Sequence, residues 1–479
     1  MVKSRSKQSL TEGPIFSRLL LFVVPIILTG VLQVMYNMAD NIVVGRYSGD
    51  PNALGAVGST ASLTALIINI MLNLSAGAGV VIAQFYGAKD ENKVSRTVHT
   101  AMTFSVIGGI VCMILGLVLA RPLLTLMGTQ EVFYDNSVLY MTIICFGIPA
   151  GAVYNFGAAT LRSVGDSKTS LYILSVSGIV NVLLNFFFVL VCNMTVDGVA
   201  LATIISQYLS AIAVVRCLMK RSGESYQLHL RSLRIEAPLL GRIMRIGIPM
   251  ALQSSLFSIS NIVVTSAVNT FPPHVVSAKT IAFNIEGITY TVMNAFSNAA
   301  MTFIGQNYGA RKFRRLNKVA LYTVIQVAAA GFLVGQVEIL FARPLSSLYI
   351  GADDPARELI IDAVREIFRI MLATYFVGGV METISGILKG IGYSFSSMVA
   401  SLIGLASRVL WILFVTPTEK FHTIFGLFVS YTISWVFTIL LLLICCVYAW
   451  KKIGIMRLAR EEKQEEMKAA KTAAPSMEA

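Results

Sequence analysis

The sequence predicts an all-α integral membrane protein with twelve transmembrane helices in two pseudo-symmetric six-helix lobes. Three observations predict this fold: an apolar composition, long segments without charge, and a repeat at about half the chain length. Of the 479 residues, 56% are hydrophobic and 13% are charged. A soluble domain carries about 25% charged residues because its surface faces water. The composition therefore favours helices that face lipid over a water-soluble globule.

Twelve apolar segments are long enough to cross a membrane. A hydrocarbon core of about 30 Å needs about 20 helical residues, and a segment such as 98–120 has that length without an acidic or basic residue other than one histidine. The predicted spans are 16–42, 53–81, 96–119, 138–160, 169–192, 197–219, 240–268, 277–303, 318–341, 360–387, 396–416 and 422–449.

The net charge of +13 is a topology signal. On the predicted topology, 29 of the 38 Lys and Arg residues lie at the termini, in the even-numbered loops or in the six span residues next to them. Five lie on the opposite side and four lie elsewhere within spans. Short loops rich in Lys and Arg stay in the cytoplasm. We therefore expect a multi-pass protein of the inner (plasma) membrane with both termini in the cytoplasm, in contact with the lipid bilayer and not with nucleic acid.

The two halves of the chain repeat each other. Gln84–Lys89 recurs as Gln306–Arg311, 222 residues later. Pro25 in the first span is matched by Pro249 in the seventh, 224 residues later. Because each half has six spans, both halves enter the membrane in the same orientation. Parallel repeats of this kind predict a pseudo-two-fold axis along the membrane normal and a cavity between the two bundles.

The repeat divides the chain into four parts. Residues 1–218 are the predicted N-terminal lobe, with spans one to six, and residues 219–241 are a cytoplasmic linker rich in Arg and Ser. Residues 242–450 are the C-terminal lobe, with spans seven to twelve, and 451–479 are a charged cytoplasmic tail.

Polar residues inside the first six spans are candidates for a functional site, because charge inside a membrane is costly. Asp40, late in the first span, either caps a helix end or pairs with Arg46, or it is a buried carboxylate that binds a proton or a cation. Asn181 and Asn185 are four residues apart and share a helix face. They can present two amide oxygens to one point or simply join helices through hydrogen bonds. Thr203 in the sixth span is a packing residue or a further oxygen donor.

Four charged residues are predicted to be buried within spans of the second half: Lys279, Glu286, Glu382 and Arg408. Lys279 and Glu286 are seven residues apart, about two helical turns, and so lie on the same face. Since their charges are opposite, their spacing favours mutual pairing with a structural role.

Enzyme signatures are absent from the sequence, which contains no HExxH, no Walker A motif, no GxSxG and no cysteine–histidine cluster. We therefore expect no enzymatic activity, no cofactor and no metal other than Na+ at the polar residues of the first six spans. Without a nucleotide-binding domain, the energy must come from an ion gradient or a partner subunit. The sequence leaves secondary transport, a channel, or a membrane enzyme with an unusual site.

The ordered motifs resemble those of the multidrug and toxic compound extrusion (MATE) family. The resemblance extends from Pro14 to about Trp450. It depends on the following segments: Ala39–Arg46, the paired Gln-x-Tyr-Gly-Ala motifs, Leu161–Lys168 with its echo at Leu388–Gly392, Gly198–Thr203, and Arg408 with Trp411.

The resemblance implies a V-shaped pair of six-helix lobes, export of drugs or metabolites, and coupling to H+ or Na+. It assigns the ion-coupling carboxylate to Asp40, the neutral oxygens to Asn181 and Thr203, and the bending of the first helix to Pro25. Many family members have a second aspartate where this chain has Asn185, which leaves the choice of coupling ion open.

We therefore predict a monomeric secondary transporter that exports organic, mostly cationic and amphipathic compounds in exchange for H+ or Na+ by alternating access. The predicted substrate cavity is lined by polar and charged residues of both halves: Tyr36, Asn155, Lys279, Glu286, Glu382 and Arg408. The alternative is a flippase for lipid-linked saccharides with a related two-lobe fold. A flippase cavity should be strongly cationic to hold pyrophosphate, whereas here Lys279 and Arg408 are mixed with acidic residues.

Overall fold

The computed structural model describes residues 10–47, 49, 52–351 and 354–473, and within these ranges every regular element is a helix. The helices are α1 Ile15–Tyr47, α2 Ala53–Gly87, α3 Glu91–Leu126, α4 Glu131–Ser163, α5 Ser167–Phe186, α6 Val196–Met219, α7 Ala237–Val268, α8 Pro273–Gly309, α9 Phe313–Leu340, α10 Ala342–Ser347, α11 Arg357–Met371, α12 Tyr375–Gly390, α13 Ser394–Leu410, α14 Ile424–Ile453 and α15 Ile455–Ala473. Short π-helical turns follow α5 (Phe187–Val191) and α13 (Trp411–Val415), and 3-10 turns lie at Leu230–Ser232 and Leu372–Thr374.

Eleven helical segments of the described chain are long and apolar enough to cross a membrane. They match eleven of the twelve predicted spans, with α11, a 3-10 turn and α12 forming one segment, Arg357–Gly390. The remaining predicted span, 277–303, lies within the 37-residue helix α8. This helix is long enough to cross a membrane but less apolar, because it carries Lys279, Glu286 and four asparagines. The all-helical membrane fold is thus confirmed.

The chain forms two units by its internal contacts, and their boundaries differ from the predicted ones. One unit is Leu21–Ala251, and the other comprises Leu252–Ala479 together with residues up to Leu20. The boundaries predicted at 218 and 242 assigned all of α1 to the first lobe and nearly all of α7 to the second. In the structure, the first turns of α1 pack within the second unit and the first half of α7 packs within the first unit.

Two glycines allow α7 to pack closely on α2 in the first unit. A Cβ atom added to Gly77 would lie 2.8 Å from the backbone nitrogen of Gly247, and one added to Gly247 would lie 2.9 Å from the Cα of Leu74. Small residues at helix contacts let two backbones approach, which is a common basis of helix association in membranes. The first half of α7 is therefore fixed by direct backbone contact.

The segment Leu10–Pro14, which we call the N-terminal strap, is anchored in the second unit. Leu10 is only 2% exposed. The backbone carbonyls of residues 10–13 accept hydrogen bonds of 2.7–3.5 Å from the side chains of Asn307, Lys312 and Arg315. Because a buried carbonyl without a partner is costly, these side chains stabilise the strap, which forms a turn and a bend, against the end of α8 and the start of α9.

The first copy of the repeated motif makes a related contact in the first unit. Arg242, at the start of α7, donates to Gln84 Oε1 at 2.5 Å, and its guanidinium lies 4.7 Å from the centre of the Phe85 ring. Tyr86 packs edge-on against Tyr226 of the preceding loop. The first copy of the motif therefore contacts the start of α7, and the second copy contacts the segment just before α1.

Candidate functional site

The four residues predicted to couple ions come together in the first unit. Asp40 of α1 accepts a hydrogen bond from Asn185 Nδ2 at 2.5 Å on Oδ1 and one from Thr203 Oγ1 at 3.4 Å on Oδ2. Asn181 Nδ2 donates to Thr203 Oγ1 at 3.5 Å, and Asn185 Nδ2 also lies 3.4 Å from Asn181 Oδ1. Helices α1, α5 and α6 thus place one carboxylate, two amides and a hydroxyl in a single cluster.

The position of Asp40 excludes a helix-capping role. Asp40 lies within α1, seven residues before the helix ends at Tyr47. The alternative pairing with Arg46 involves a side chain outside the described part of the structure. Asp40 is half-buried, and its hydrogen-bond donors on α5 and α6 are neutral.

An amide oxygen in this cluster lacks a hydrogen bond. Asn185 is 0% exposed, and its Oδ1 has no partner within the described residues. A buried polar atom without a partner costs about 1–3 kcal/mol. The carboxylate of Asp40 and this free oxygen are groups that attract a proton or a hard cation such as Na+. No group of three or more His, Cys, Asp or Glu residues in the described chain could hold a metal ion.

The local structure of α5 explains how Asn185 reaches Asp40. Asn181 and Asn185 are one turn apart and both are buried, so they lie on the face of α5 that meets the rest of the unit. Helix α5 ends one residue after Asn185 and continues as the π-helical turn Phe187–Val191. Such turns are frequent at functional sites, where they shift the register of the following side chains.

Tyr36 and Pro25 lie on the same helix as Asp40. The Tyr36 hydroxyl donates to the backbone carbonyl of Ser175 on α5, and its ring occupies the space where Gly178 lacks a side chain. Pro25 lies inside the continuous helix α1, where proline removes one backbone hydrogen bond. Of the other predicted cavity residues in this unit, Asn155 is half-buried on α4.

Lys279 and Glu286 have separate partners in the second unit, so the mutual pairing that their spacing favoured is wrong for the described residues. Lys279 Nζ donates to Thr265 Oγ1 at 2.9 Å and lies 4.8 Å from the centre of the Phe283 ring. Glu286 accepts a hydrogen bond from the Tyr375 hydroxyl on α12. Neighbouring helices, and not the spacing along α8, determine these partners.

Glu382 and Arg408 occupy different surroundings. Glu382 Oε1 lies 3.8 Å from Lys389 Nζ, again at a seven-residue spacing. Arg408 is buried, donates to Ser260 Oγ at 3.0 Å, and stacks 4.4 Å from the centre of the Tyr431 ring. Glu382 and Arg408 therefore have separate partners inside the second unit.

A further buried acid was missed by the sequence analysis. Glu338 lies in α9, two residues before the helix ends, and is 5% exposed. It is the only acidic residue of α9, and this was the signal available in the sequence. The predicted span 318–341 looked apolar as a whole, so the single carboxylate near its end was not singled out.

Comparison with known proteins gives a family match and close structural neighbours. The MatE family model matches residues 25–187 and 249–413, two segments that begin at the paired prolines of the repeat. The chain is 28% identical over 462 residues to the "Probable multidrug resistance protein YoeA" of Bacillus subtilis (strain 168), covering 94% of this chain and 97% of that protein.

Other similarities agree with this match. The chain is 24% identical over 395 residues to the "Probable multidrug resistance protein NorM" of Thermotoga maritima, covering 80% of this chain and 82% of that protein. A solved structure described as the "Outward-facing conformation of a multidrug resistance MATE family transporter of the MOP superfamily" has a TM-score of 0.84 at 21% identity, and covers 95% of this chain and 99% of that one. The structural likeness extends over nearly the whole chain.

Proposed function

The chain belongs to the MatE family of multidrug efflux transporters, and on that premise we propose that it exports amphipathic organic cations in exchange for H+ or Na+ by alternating access. The observation that carries the proposal is the polar cluster around Asp40. A carboxylate inside an apolar bundle meets neutral donors from Asn185 and Thr203, and the buried Asn185 Oδ1 has no partner among the described residues.

The coupling follows from the cost of an isolated buried charge. When Asp40 has no bound ion, its negative charge favours a conformation in which water reaches it. When a proton or Na+ binds, the cluster becomes neutral and the dry conformation is favoured. A ligand shifts a conformational equilibrium only through such a difference in affinity. Pro25, four helical turns before Asp40 in α1, is where we expect the helix to bend.

An organic cation can compete for the same negative charge. Tyr36, one turn before Asp40, offers an aromatic ring, and aromatic rings attract organic cations. Binding of the cation then favours release of the coupling ion, which is the requirement for exchange.

A flippase of pyrophosphate-linked saccharides is less favoured, because Lys279 and Arg408 interact with Thr265, Ser260 and aromatic rings. We expect no cofactor, and a monomer in the inner membrane.

The proposal is tested by efflux of a fluorescent organic cation such as ethidium from proteoliposomes. One series imposes a proton gradient without Na+, and another imposes a Na+ gradient at equal pH. We expect one of the two gradients to drive accumulation against the ethidium gradient. Movement that follows the ethidium gradient alone indicates a channel and contradicts the proposal.

Asn185→Asp identifies the ion that the cluster binds. The replacement puts a second carboxylate beside Asp40. If the cluster binds Na+, we expect the Na+ concentration for half-maximal efflux to fall about tenfold, which corresponds to about 1.4 kcal/mol. If it binds only protons, Na+ has no effect on the variant. The matched control Asn136→Asp adds the same charge on α4, outside the cluster. If both variants respond to Na+ in the same way, the coupling ion does not bind at the Asp40 cluster.

The topology is tested with reporters that are active only in the cytoplasm. Short basic loops stay on the cytoplasmic side, so fusions after Lys89, Ser222 or Arg314 should be active. Fusions after Thr129 or Phe271 should be silent. The inverse pattern would show that the predicted orientation in the membrane is wrong.

A further inference from the structure

We propose that Glu338 is a proton-binding residue, at a site in the second unit separate from the Asp40 cluster. Glu338 is 5% exposed, and neither of its carboxylate oxygens has a hydrogen-bond partner within the described residues. An ionised carboxylate in this position would be an unpaired charge in a dry interior, which costs far more than a neutral acid. Burial without a partner therefore favours the protonated form.

A second buried group faces the same point. Thr289 of α8 is 0% exposed, and its hydroxyl and backbone N–H approach Glu338 as hydrogen-bond donors without reaching the geometry of a complete hydrogen bond. Its hydroxyl completes no hydrogen bond among the described residues. A hydroxyl can donate to the ionised acid or accept from the protonated one. Thr289 is therefore suited to both states of Glu338 and can exchange partners when the proton leaves.

The charges around Glu338 also favour a proton. Glu286 of α8 acts on Glu338 as a like charge, and Tyr375 of α12 donates its hydroxyl to Glu286. Glu338 forms no ion pair within the described chain. The charged side chains of the other elements packed on α9 have other partners or lie at the surface: Lys279 with Thr265, Lys389 with Glu382, Arg343 with Glu358, Arg357 with the Gly351 carbonyl, Arg365 with Asp362, the exposed Glu366 and Arg369, and the described charges of α15.

Sodium fits this site less well than a proton. Hard cations bind several oxygen ligands at once. Among the described residues that act on Glu338, Thr289 offers one hydroxyl and Glu286 is already hydrogen-bonded by Tyr375, whereas a proton needs a single acceptor oxygen. The site is thus chemically distinct from the Asp40 cluster, where several oxygens converge.

The local structure also provides a way to expose Glu338. Gly335, one turn earlier on α9, lies against the backbone of Leu372, and a Cβ atom added to Gly335 would be 2.6 Å from the Leu372 carbonyl oxygen. Leu372 begins the 3-10 turn between α11 and α12, and a 3-10 stretch within a helical path often marks a hinge. A change at this turn would open the end of α9 to water. The role of Glu338 in transport, unlike its protonation, depends on the proposed function.

Infrared difference spectroscopy of the purified protein tests the protonation directly. We expect a C=O band of a protonated carboxyl group in the wild type that is lost in Glu338→Gln and remains in the control Glu366→Gln, which alters an exposed acid on α11. The band should be the same in Na+ and K+ buffers. The test is the difference between the wild-type and Glu338→Gln spectra, because Asp40 can contribute a C=O band of its own when it is protonated. If this difference contains no C=O band, or if Na+ removes that band from it, the proposal is overturned.

Stability and transport supply two further readouts. Glu338→Gln should be at least as thermostable as the wild type, because a neutral amide replaces a neutral acid; a marked loss of stability would indicate an ionised, paired Glu338. In proteoliposomes we expect Glu338→Gln to change the pH dependence of ethidium efflux by more than Glu366→Gln does. If the pH profile of efflux is unchanged in Glu338→Gln, Glu338 has only a structural role and the proposed role in transport is overturned. Failure of wild-type efflux under both gradients would instead contradict the proposed function and leave the infrared result intact.

Discussion

Asp40→Asn should reduce gradient-driven efflux at least about tenfold, equivalent to about 1.4 kcal/mol of lost coupling, while the protein still folds. Asparagine has the shape of aspartate: its oxygen can accept from Asn185, and its NH2 group can donate to the Thr203 hydroxyl. It removes both the negative charge and the capacity to bind a proton. The variant should therefore still bind ethidium in part, but binding should no longer respond to the coupling ion. Efflux and equilibrium binding of ethidium measure the two quantities separately.

Asp135→Asn is the matched control for this experiment. Asp135 is exposed on α4, so the same chemical change there should leave efflux within about twofold of the wild type. Full efflux by Asp40→Asn at normal expression would show that coupling lies elsewhere. Glu286 and Glu382 in the second unit would then be the next candidates.

Gly77→Leu should lower the free energy of unfolding by about 3 kcal/mol or more, because overpacking a tight contact costs about 1–3 kcal/mol and occasionally more. The atoms nearest to a Cβ at Gly77 are backbone atoms of Gly247 and Ile243. Backbone cannot move aside as a flexible side chain can. Helices α2 and α7 must therefore separate. A thermal melt of the detergent-solubilised protein measures the loss.

Gly58→Leu provides the comparison within the same helix. A Cβ at Gly58 would have no atom within 4 Å, and leucine is a better helix former than glycine. This variant should melt at the wild-type temperature or above it. Equal melting temperatures for the two variants would mean that the close contact between α2 and α7 contributes nothing to stability.

The helices could be predicted from the sequence because long apolar segments have few alternatives in a membrane. The one span that is less apolar, in α8, shows where this reasoning is weakest. Its polar residues Lys279 and Glu286 are bound by Thr265 and Tyr375 from other elements, and hydropathy carries no information about such partners. The division of α1 and α7 between the two units was also missed, because it depends on close contacts such as Gly77 with Gly247.

The Asp40 cluster was predictable because its residues are exceptions in apolar helices. The four-residue spacing of Asn181 and Asn185 predicts that they share a helix face, and the family resemblance predicts that they lie near Asp40 and Thr203. Glu338 was not predictable in the same way. A single acid near the end of a span is equally consistent with a position at the water interface. Its burial results from the packing of α9 against α8, α12 and the turn at Leu372, which is a tertiary property.

The N-terminal strap has a consequence for biosynthesis. Its hydrogen-bond partners Asn307 and Lys312 are 297 and 301 residues further along the chain. At about 5–20 residues per second, the strap leaves the ribosome roughly 15–60 s before these partners exist. The second unit therefore cannot complete its fold as its own helices are inserted one after another. It closes only when a segment that was made early meets helices that are made much later, so a fragment that begins at α7 would lack a buried piece of its own unit.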